Sequence, residues 1–221
     1  MLVLQVIEVS EMKVVLTKET IRIPQEVTVT VEHKAVTVTG PYGQEQRCFP
    51  NSQLDIQLQG NTVEVSCWLA DKKVRAMVGT VCAHIRNLIN GVAAGYQLST
   101  MAVYNHFPIQ QTIARDGHSV VISNVMNCRR TRYVEMQGDV VYSQGGNPDH
   151  WQMRDVKVLK GTNLEDVTKT AATLQRESKD DTKRDPVKFL DGIYRQKLEY
   201  QREEYEPTRR TKRNQKISGR N

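Results

Sequence analysis

The stretch DKKVRAMVGTVCAHIRNLIN, Asp71 to Asn90, carries the clearest helical pattern in the chain. Val74, Met77, Val78, Val81, Cys82, Ile85, Leu88 and Ile89 recur at steps of three and four residues, which lays one apolar stripe along an α-helix. The opposite face is polar. Asp71 is placed to cap the first turn, and Asn90-Gly91 to supply the left-handed exit that ends a helix at low cost. A helix with a single apolar stripe must bury it, and the segments on its N-terminal side read as the sheet that it covers.

Those segments alternate apolar residues with Thr or charge, the period of a half-buried strand: Thr20 to Ile23, Val27 to Val31, Ala35 to Thr39, Leu54 to Leu58 and Thr62 to Ser66. Glu32-His33-Lys34 reads as a hairpin turn, Gly40-Pro41-Tyr42-Gly43 as a break before the extended run Gln44 to Phe49, and Gly60-Asn61 as a bend. The second half restates the plan. Ile109 to Ala114, a turn at Asp116-Gly117-His118, and Val120 to Ser123 repeat the first hairpin, and Met153 to Leu159 precedes a second helix as Val63 to Cys67 precedes the first. That helix opens on Asn163 as cap, with Asp166 three residues on, and shows Leu164, Val167, Ala171 and Leu174 on one face. The caps Asp71 and Asn163 are 92 residues apart, a match of pattern rather than of side chains. The expected fold class is α+β: two duplicated domains, each a mainly antiparallel or mixed sheet with a helix on one face. The boundaries read as an N-terminal extension over 1–12, a first domain over 13–94, a second over 95–194 and a basic tail over 195–221.

Charge is distributed unevenly along the 221 residues. Residues 195–221 hold nine Lys and Arg against four Glu, a net of +5 out of the chain's +6, so the body is nearly neutral. The last 14 residues, TRRTKRNQKISGRN, hold six positive charges, no acid and one apolar side chain, too little to build a core. Such a segment is drawn to phosphate backbones and releases their counterions; Arg209, Arg210, Lys212 and Arg213 are its candidate contacts, and a solvated tail or an import patch is the other reading. Leu198 to Tyr205 reads as a short helix ahead of Pro207.

The chemistry of an enzyme lacks support in the pattern. His33, His84, His106, His118 and His150 are scattered outside any metal-ligand spacing, and no GxSxG, P-loop or dinucleotide fingerprint occurs. Cys48, Cys67, Cys82 and Cys128 form no CxxC pair and read as reduced thiols, Cys82 as a small core residue. No cofactor or metal is expected, and no uncharged apolar run is long enough to span a bilayer, so a membrane role is not expected either.

Several separated segments, in order, carry a resemblance to a known family. VGTVCAHIRNLINGVAAGYQ, VYNHFPI at 103–109, KFLDGIY at 188–194, GPYG at 40–43 and GTNLEDVT at 161–168 are similar to large-subunit ribosomal protein six, numbered nine in eukaryotic naming. VYNHFPI and KFLDGIY resemble its eukaryotic cytosolic branch, and the likeness runs from about Lys13 to Tyr194. It implies two duplicated α+β domains and a structural, RNA-binding role without catalysis. It further implies a place on the large (60S) subunit near the sarcin-ricin loop and stalk base, beside the translational GTPases. Neighbouring ribosomal proteins would be further partners, on a cytosolic ribosome with assembly in the nucleus or nucleolus.

Carried over by position, the resemblance makes the second domain the main ribosomal-RNA-binding part. It offers Lys157, Lys160, Lys169, Arg176, Lys179, Lys183, Arg184, Lys188 and Arg195 as phosphate contacts. Gly192 is expected to let backbone approach RNA, and Tyr194 to stack on a base or ribose. A solvated lysine and a core tyrosine are the bland alternatives. The competing function is a two-domain adaptor with a basic tail, which binds protein through a first domain whose helix and strands show no basic cluster beyond Lys72, Lys73 and Arg75.

Overall fold

The computed structural model describes residues 16–50, 53–145, 155–179, 190–202 and 205–208. The first half runs β1 (Leu16–Arg22), β2 (Thr28–Glu32), β3 (Ala35–Gly40), β4 (Gly43–Cys48), β5 (Asp55–Gln59), β6 (Thr62–Trp68) and α1 (Lys72–Ala94). The second runs β7 (Tyr96–Val103), β8 (Gln110–Ile113), β9 (Ser119–Ser123), β10 (Arg132–Glu135), β11 (Val141–Gln144), β12 (Val156–Gly161), α2 (Leu164–Glu177) and β13 (Gly192–Tyr200). Among the described residues the strands form four sheets, ordered β1-β6-β5, β2-β3-β4, β11-β12-β7-β13 and β10-β9-β8, with antiparallel pairing throughout. Adding six to each strand number of the first half reproduces the order of the second. The duplication is therefore present in topology, with β13 as the one added strand, and the fold is α+β.

Each half has its own core. In the first, Ile21, Val36, Val38, Leu54, Val63 and Val65 face Val81, Cys82, Ile85 and Ile89 of α1. In the second, Leu98, Ile122, Tyr142, Leu159 and Ile193 gather around Val167, Ala171 and Leu174 of α2. Alternation puts Val36 and Val38 of β3 and Val63, Val65 and Cys67 of β6 inside, as the period requires, while Glu64 between them is covered by its ion pair with Lys18.

Three local expectations are corrected. The helix does not leave at Asn90-Gly91 but continues to Ala94, because Val92, Ala93 and Ala94 are buried and Gly95, at φ 65, provides the left-handed exit. Asp71 stands at the N-terminus without a side-chain cap, although its carbonyl accepts from Arg75 N at 2.9 Å. Nor does Leu198 open a helix. Leu198, Glu199 and Tyr200 pair with Leu98, Gln97 and Tyr96 after a register shift that follows Arg195, so β13 runs past Tyr194 as an edge strand. Asn163, in contrast, caps α2 as read, its Oδ1 accepting from Glu165 N at 2.9 Å. The N-terminal extension over 1–12 lies outside the described residues.

The halves are joined at several points. Arg47 of β4 is hydrogen-bonded to Glu165 of α2, and Thr162 Oγ1 donates to Glu45 Oε1 at 2.6 Å. After β13 the chain returns to the first half: Gln201 N donates to Gly95 O, Tyr205 OH and Thr208 N donate to Asn90 Oδ1 at 2.9 and 3.1 Å, and Arg202 pairs with Glu26 at 2.6 Å. Tyr200 packs between Tyr96 and Tyr205, with ring centroids 5.5 and 5.3 Å away.

Candidate nucleic-acid interface

Helix α2 turns its apolar residues to the sheet, and that geometry decides what faces outward. Val167, Thr170, Ala171 and Leu174 are buried, so Lys169, Ala172 and Arg176, spaced three and four, are left exposed on one face, and Lys179, also exposed, follows just past the Ser178 cap. Lys169 and Arg176 stand about 10 Å apart along the axis at 1.5 Å per residue, and with Lys179 beyond the cap they make a stripe of three cations. Lys169 lies 3.9 Å from Glu165 and Arg176 3.5 Å from Glu177. Exposed pairs of this kind contribute little, so either cation can exchange its carboxylate for a phosphate. Glu165 is mainly engaged elsewhere: its hydrogen bond from Arg47 holds its carboxyl below the usual range, against the effect of partial burial.

The other expected contacts divide by sheet face. Arg195 lies opposite Thr100, on the helix-bearing side of β13, and is exposed. Lys160 and Tyr194 follow core residues Leu159 and Ile193 in sequence, so alternation turns them to the far face of the sheet, away from the stripe. Tyr194 is half-buried, and its hydroxyl donates to Leu190 O at 2.8 Å.

Two expectations meet a different environment. Lys157 shares the inward face with Leu159 and Thr100; it is buried, and its Nζ donates to Gln111 O at 2.9 Å. Burial pulls its pKa down, Asp155 partly offsetting this, and the ammonium points inward rather than to solvent. Beside it Tyr142 OH donates to Gln111 Oε1 at 2.7 Å and lies 3.1 Å from Thr100 Oγ1, its pKa pushed up to about 12 by burial. Gly192 is also buried, opposite Val103, where an added Cβ would meet Ser178 Oγ at 3.4 Å. Its place is in packing against the end of α2, not at an open surface. Lys183, Arg184, Lys188, Arg209, Arg210, Lys212 and Arg213 lie outside the described residues.

One group of cations escaped the sequence reading. Arg129 and Arg130 are exposed in the loop before β10, and Arg132 is turned inward with Nη2 3.4 Å from the Lys179 carbonyl. Three arginines in NCRRTRY were a visible signal; without the fold nothing tied them to α2. Among the described residues no cluster of His, Cys, Asp or Glu is arranged to hold a metal ion, and no helix is long and apolar enough to cross a membrane.

Comparison with known proteins agrees with this architecture. The family model for ribosomal protein L6 matches residues 23–95. Large ribosomal subunit protein uL6 of Desulfurococcus amylolyticus is 36% identical over 177 residues, covering 80% of this chain and 91% of that protein. The uL6 protein of Tetrahymena thermophila is 32% identical over 184 residues, 83% of this chain and 95% of its own, and uL6A of Schizosaccharomyces pombe 34% over 176 residues, 80% and 90%. These relatives extend over both halves, where the family model covers the first. The chain belongs to the uL6 family of large-subunit ribosomal proteins.

Proposed function

We propose that this chain binds ribosomal RNA chiefly through its second half, near the sarcin-ricin loop and stalk base and beside the site of the translational GTPases, in the cytosolic large subunit of a eukaryotic-type ribosome. The coarser part follows from the family: it is a structural, non-enzymatic constituent of the large ribosomal subunit. The observation that carries the finer part is the outward stripe of Lys169 and Arg176 on one helix face and Lys179 just past its end, with Arg195 on the same side of the sheet. Phosphate contacts of this sort suit a nearly neutral body, since a focused face can bind where net charge is small.

The first half takes the neighbouring-protein role in this reading. Trp68 and Leu69, 62% and 74% exposed, stand at the corner between β6 and α1 beside Lys72, Lys73 and Arg75. An exposed Trp and Leu side by side are suited to a protein contact. A two-domain adaptor acting off the ribosome would use the same corner.

Sedimentation separates the two. Tagged protein from cells is run on sucrose gradients at low and high salt, and nuclear and cytoplasmic fractions are compared. Co-migration with the large subunit that survives moderate salt supports the reading, with the nuclear pool reporting assembly there. Protein that stays at the top of the gradient at both salts leaves the adaptor.

A further inference from the structure

We propose that the loop and edge strand Asn127 to Tyr133 form a second RNA contact continuous with the α2 stripe, in which Arg129 and Arg130 hold phosphates and the Tyr133 ring stacks on an unpaired base. This rests on the RNA-binding reading above and extends it to residues that neither the resemblance nor the comparisons mark.

The placement follows from Arg132. Its guanidinium is buried and donates to the carbonyl of Lys179, just past the C-cap of α2, so the start of β10 is tied to the end of the stripe. Arg130 and Arg129, two and three residues earlier, belong to the exposed loop that this bond ties to the end of α2, and neither makes an ion pair within the described residues. The loop is held in shape before any ligand arrives. Val125 and Met126 are buried, Cys128 N donates to Val125 O at 2.9 Å, and Asn124 Nδ2 donates to Pro108 O at 2.8 Å. Asn124, Met126 and Asn127 have φ of 58, 49 and 58, a left-handed run that a side chain as large as Met126 adopts only when its surroundings impose it. A preformed loop loses little freedom on binding.

Tyr133 supplies the other half. β10 is an edge strand on which Arg132 and Val134 are buried, so Tyr133 faces outward, 62% exposed and opposite Val121. An exposed ring with two free-standing guanidinium groups nearby is the combination that grips single-stranded RNA: the ring takes a base face, the cations take the backbone. A duplex offers the cations phosphates but gives the ring no unstacked base. Glu135 and Asp139 are the acids nearest in sequence, and both lie on the far side of Tyr133 from the arginines. Tyr194, the aromatic expected to stack, is half-buried with its hydroxyl committed to Leu190.

The test uses the full chain with two labelled probes, an RNA hairpin carrying a ten-nucleotide mixed-sequence loop and a fully paired RNA duplex. Tyr133→Ala is expected to weaken binding of the looped hairpin about tenfold, as loss of one stacked base does, with the duplex unchanged and Tyr133→Phe as wild type. Arg129→Gln with Arg130→Gln is expected to flatten the plot of log affinity against log salt by about 1.4, at about 0.7 per contact on single-stranded RNA. Loss of duplex and hairpin binding alike in Tyr133→Ala would overturn the stacking role. Wild-type affinity and salt slope in both variants, while Lys169→Gln, Arg176→Gln and Lys179→Gln together lose binding, would overturn this proposal and leave the RNA-binding reading standing. Failure of the unsubstituted chain to bind either probe at low salt would remove both.

Discussion

Gly91 of α1 lies directly against Thr162 at the threshold of α2, so close that a Cβ at Gly91 would stand 2.0 Å from the Thr162 carbonyl oxygen. Here α1 meets the backbone that leads into α2. Thr162 cannot retreat freely, because its hydroxyl is held by Glu45 at 2.6 Å. Gly91→Ala would ordinarily favour a helix by about 1 kcal/mol, but the forced displacement costs about 1–3 kcal/mol and should win. The variant is expected to unfold several degrees lower in a thermal melt. A melt equal to or above wild type would mean that the halves slide apart without cost and that this contact is incidental.

Glu165 joins β4, α1 and α2, accepting from Arg47 and lying 3.6 Å from His84 Nδ1 and 3.9 Å from Lys169. Its pKa is lowered, chiefly by Arg47, so what it contributes is present above the ordinary carboxylate range and is lost as pH falls through its folded value. His84 is lowered as well, by burial first and Arg47 second, with Glu165 opposing. The folded state thus prefers His84 neutral, and stability erodes as pH drops below about 6.5, the usual histidine value. Both effects have one sign. The melting temperature should fall on acidification, with His84→Gln flattening the upper part of the decline and Glu165→Gln the lower. The ion pair is half exposed, so Glu165→Gln at neutral pH should cost only about 0.5–1 kcal/mol. Melting profiles that superimpose on wild type from pH 7 to 4 would dismiss this account.

Lys157 and the α2 stripe should separate cleanly in a binding experiment. Lys157→Met keeps the buried stem and removes a charge that points at Gln111 O, so RNA affinity and its salt slope are expected to stay as they are. Lys169→Gln, Arg176→Gln and Lys179→Gln together should lower the slope by about two to three while leaving the melt within about 0.5 kcal/mol of wild type. Tyr142→Phe strands Gln111 and Thr100 without their phenol partner, at an expected cost of about 1–2 kcal/mol and no change in RNA binding. An altered slope in Lys157→Met would return that lysine to the interface.

What was legible in the sequence was whatever repeats with a period. The stripe of α1, the cap at Asn163 and the hairpins around Lys34 and Gly117 each depend on neighbours within a few residues, and each was readable. β7 was not, because Tyr96 to Val103 follows a helix without a break in its apolar character, and neither were β10 and β11, four residues each. The end of β13 looked helical because four consecutive exposed residues, Arg195 to Leu198, leave no alternation there. Of the site, the cations of α2 came from the resemblance, and helical spacing accounts for the outward turn of Lys169 and Arg176. The inward turn of Lys157 did not, since it depends on Gln111, 46 residues away, and the link from Arg132 to Lys179 spans 47.

The strap that follows β13 allows the fold of the tail's root to be tested apart from its charge. Asn90 is buried at the end of α1, and its carboxamide oxygen is satisfied by Tyr205 OH and Thr208 N. Thr208 therefore sits at the seam between the halves, on the first half's helix and not at the α2 stripe. Tyr205→Ala removes a half-buried ring from Tyr200 and a hydrogen bond from Asn90, at an expected cost of about 1–2 kcal/mol, while all the basic residues remain. Truncation after Thr208 does the reverse: the strap stays, and Arg209, Arg210, Lys212 and Arg213 go. If the basic end lies along ribosomal RNA, the truncated chain should melt like wild type yet leave the large subunit at lower salt, whereas Tyr205→Ala should melt early and keep its salt resistance while folded. A truncated chain that holds to the subunit as firmly as the full one would show that those charges stay in solvent, and the second half's cations would then carry the phosphate contacts alone.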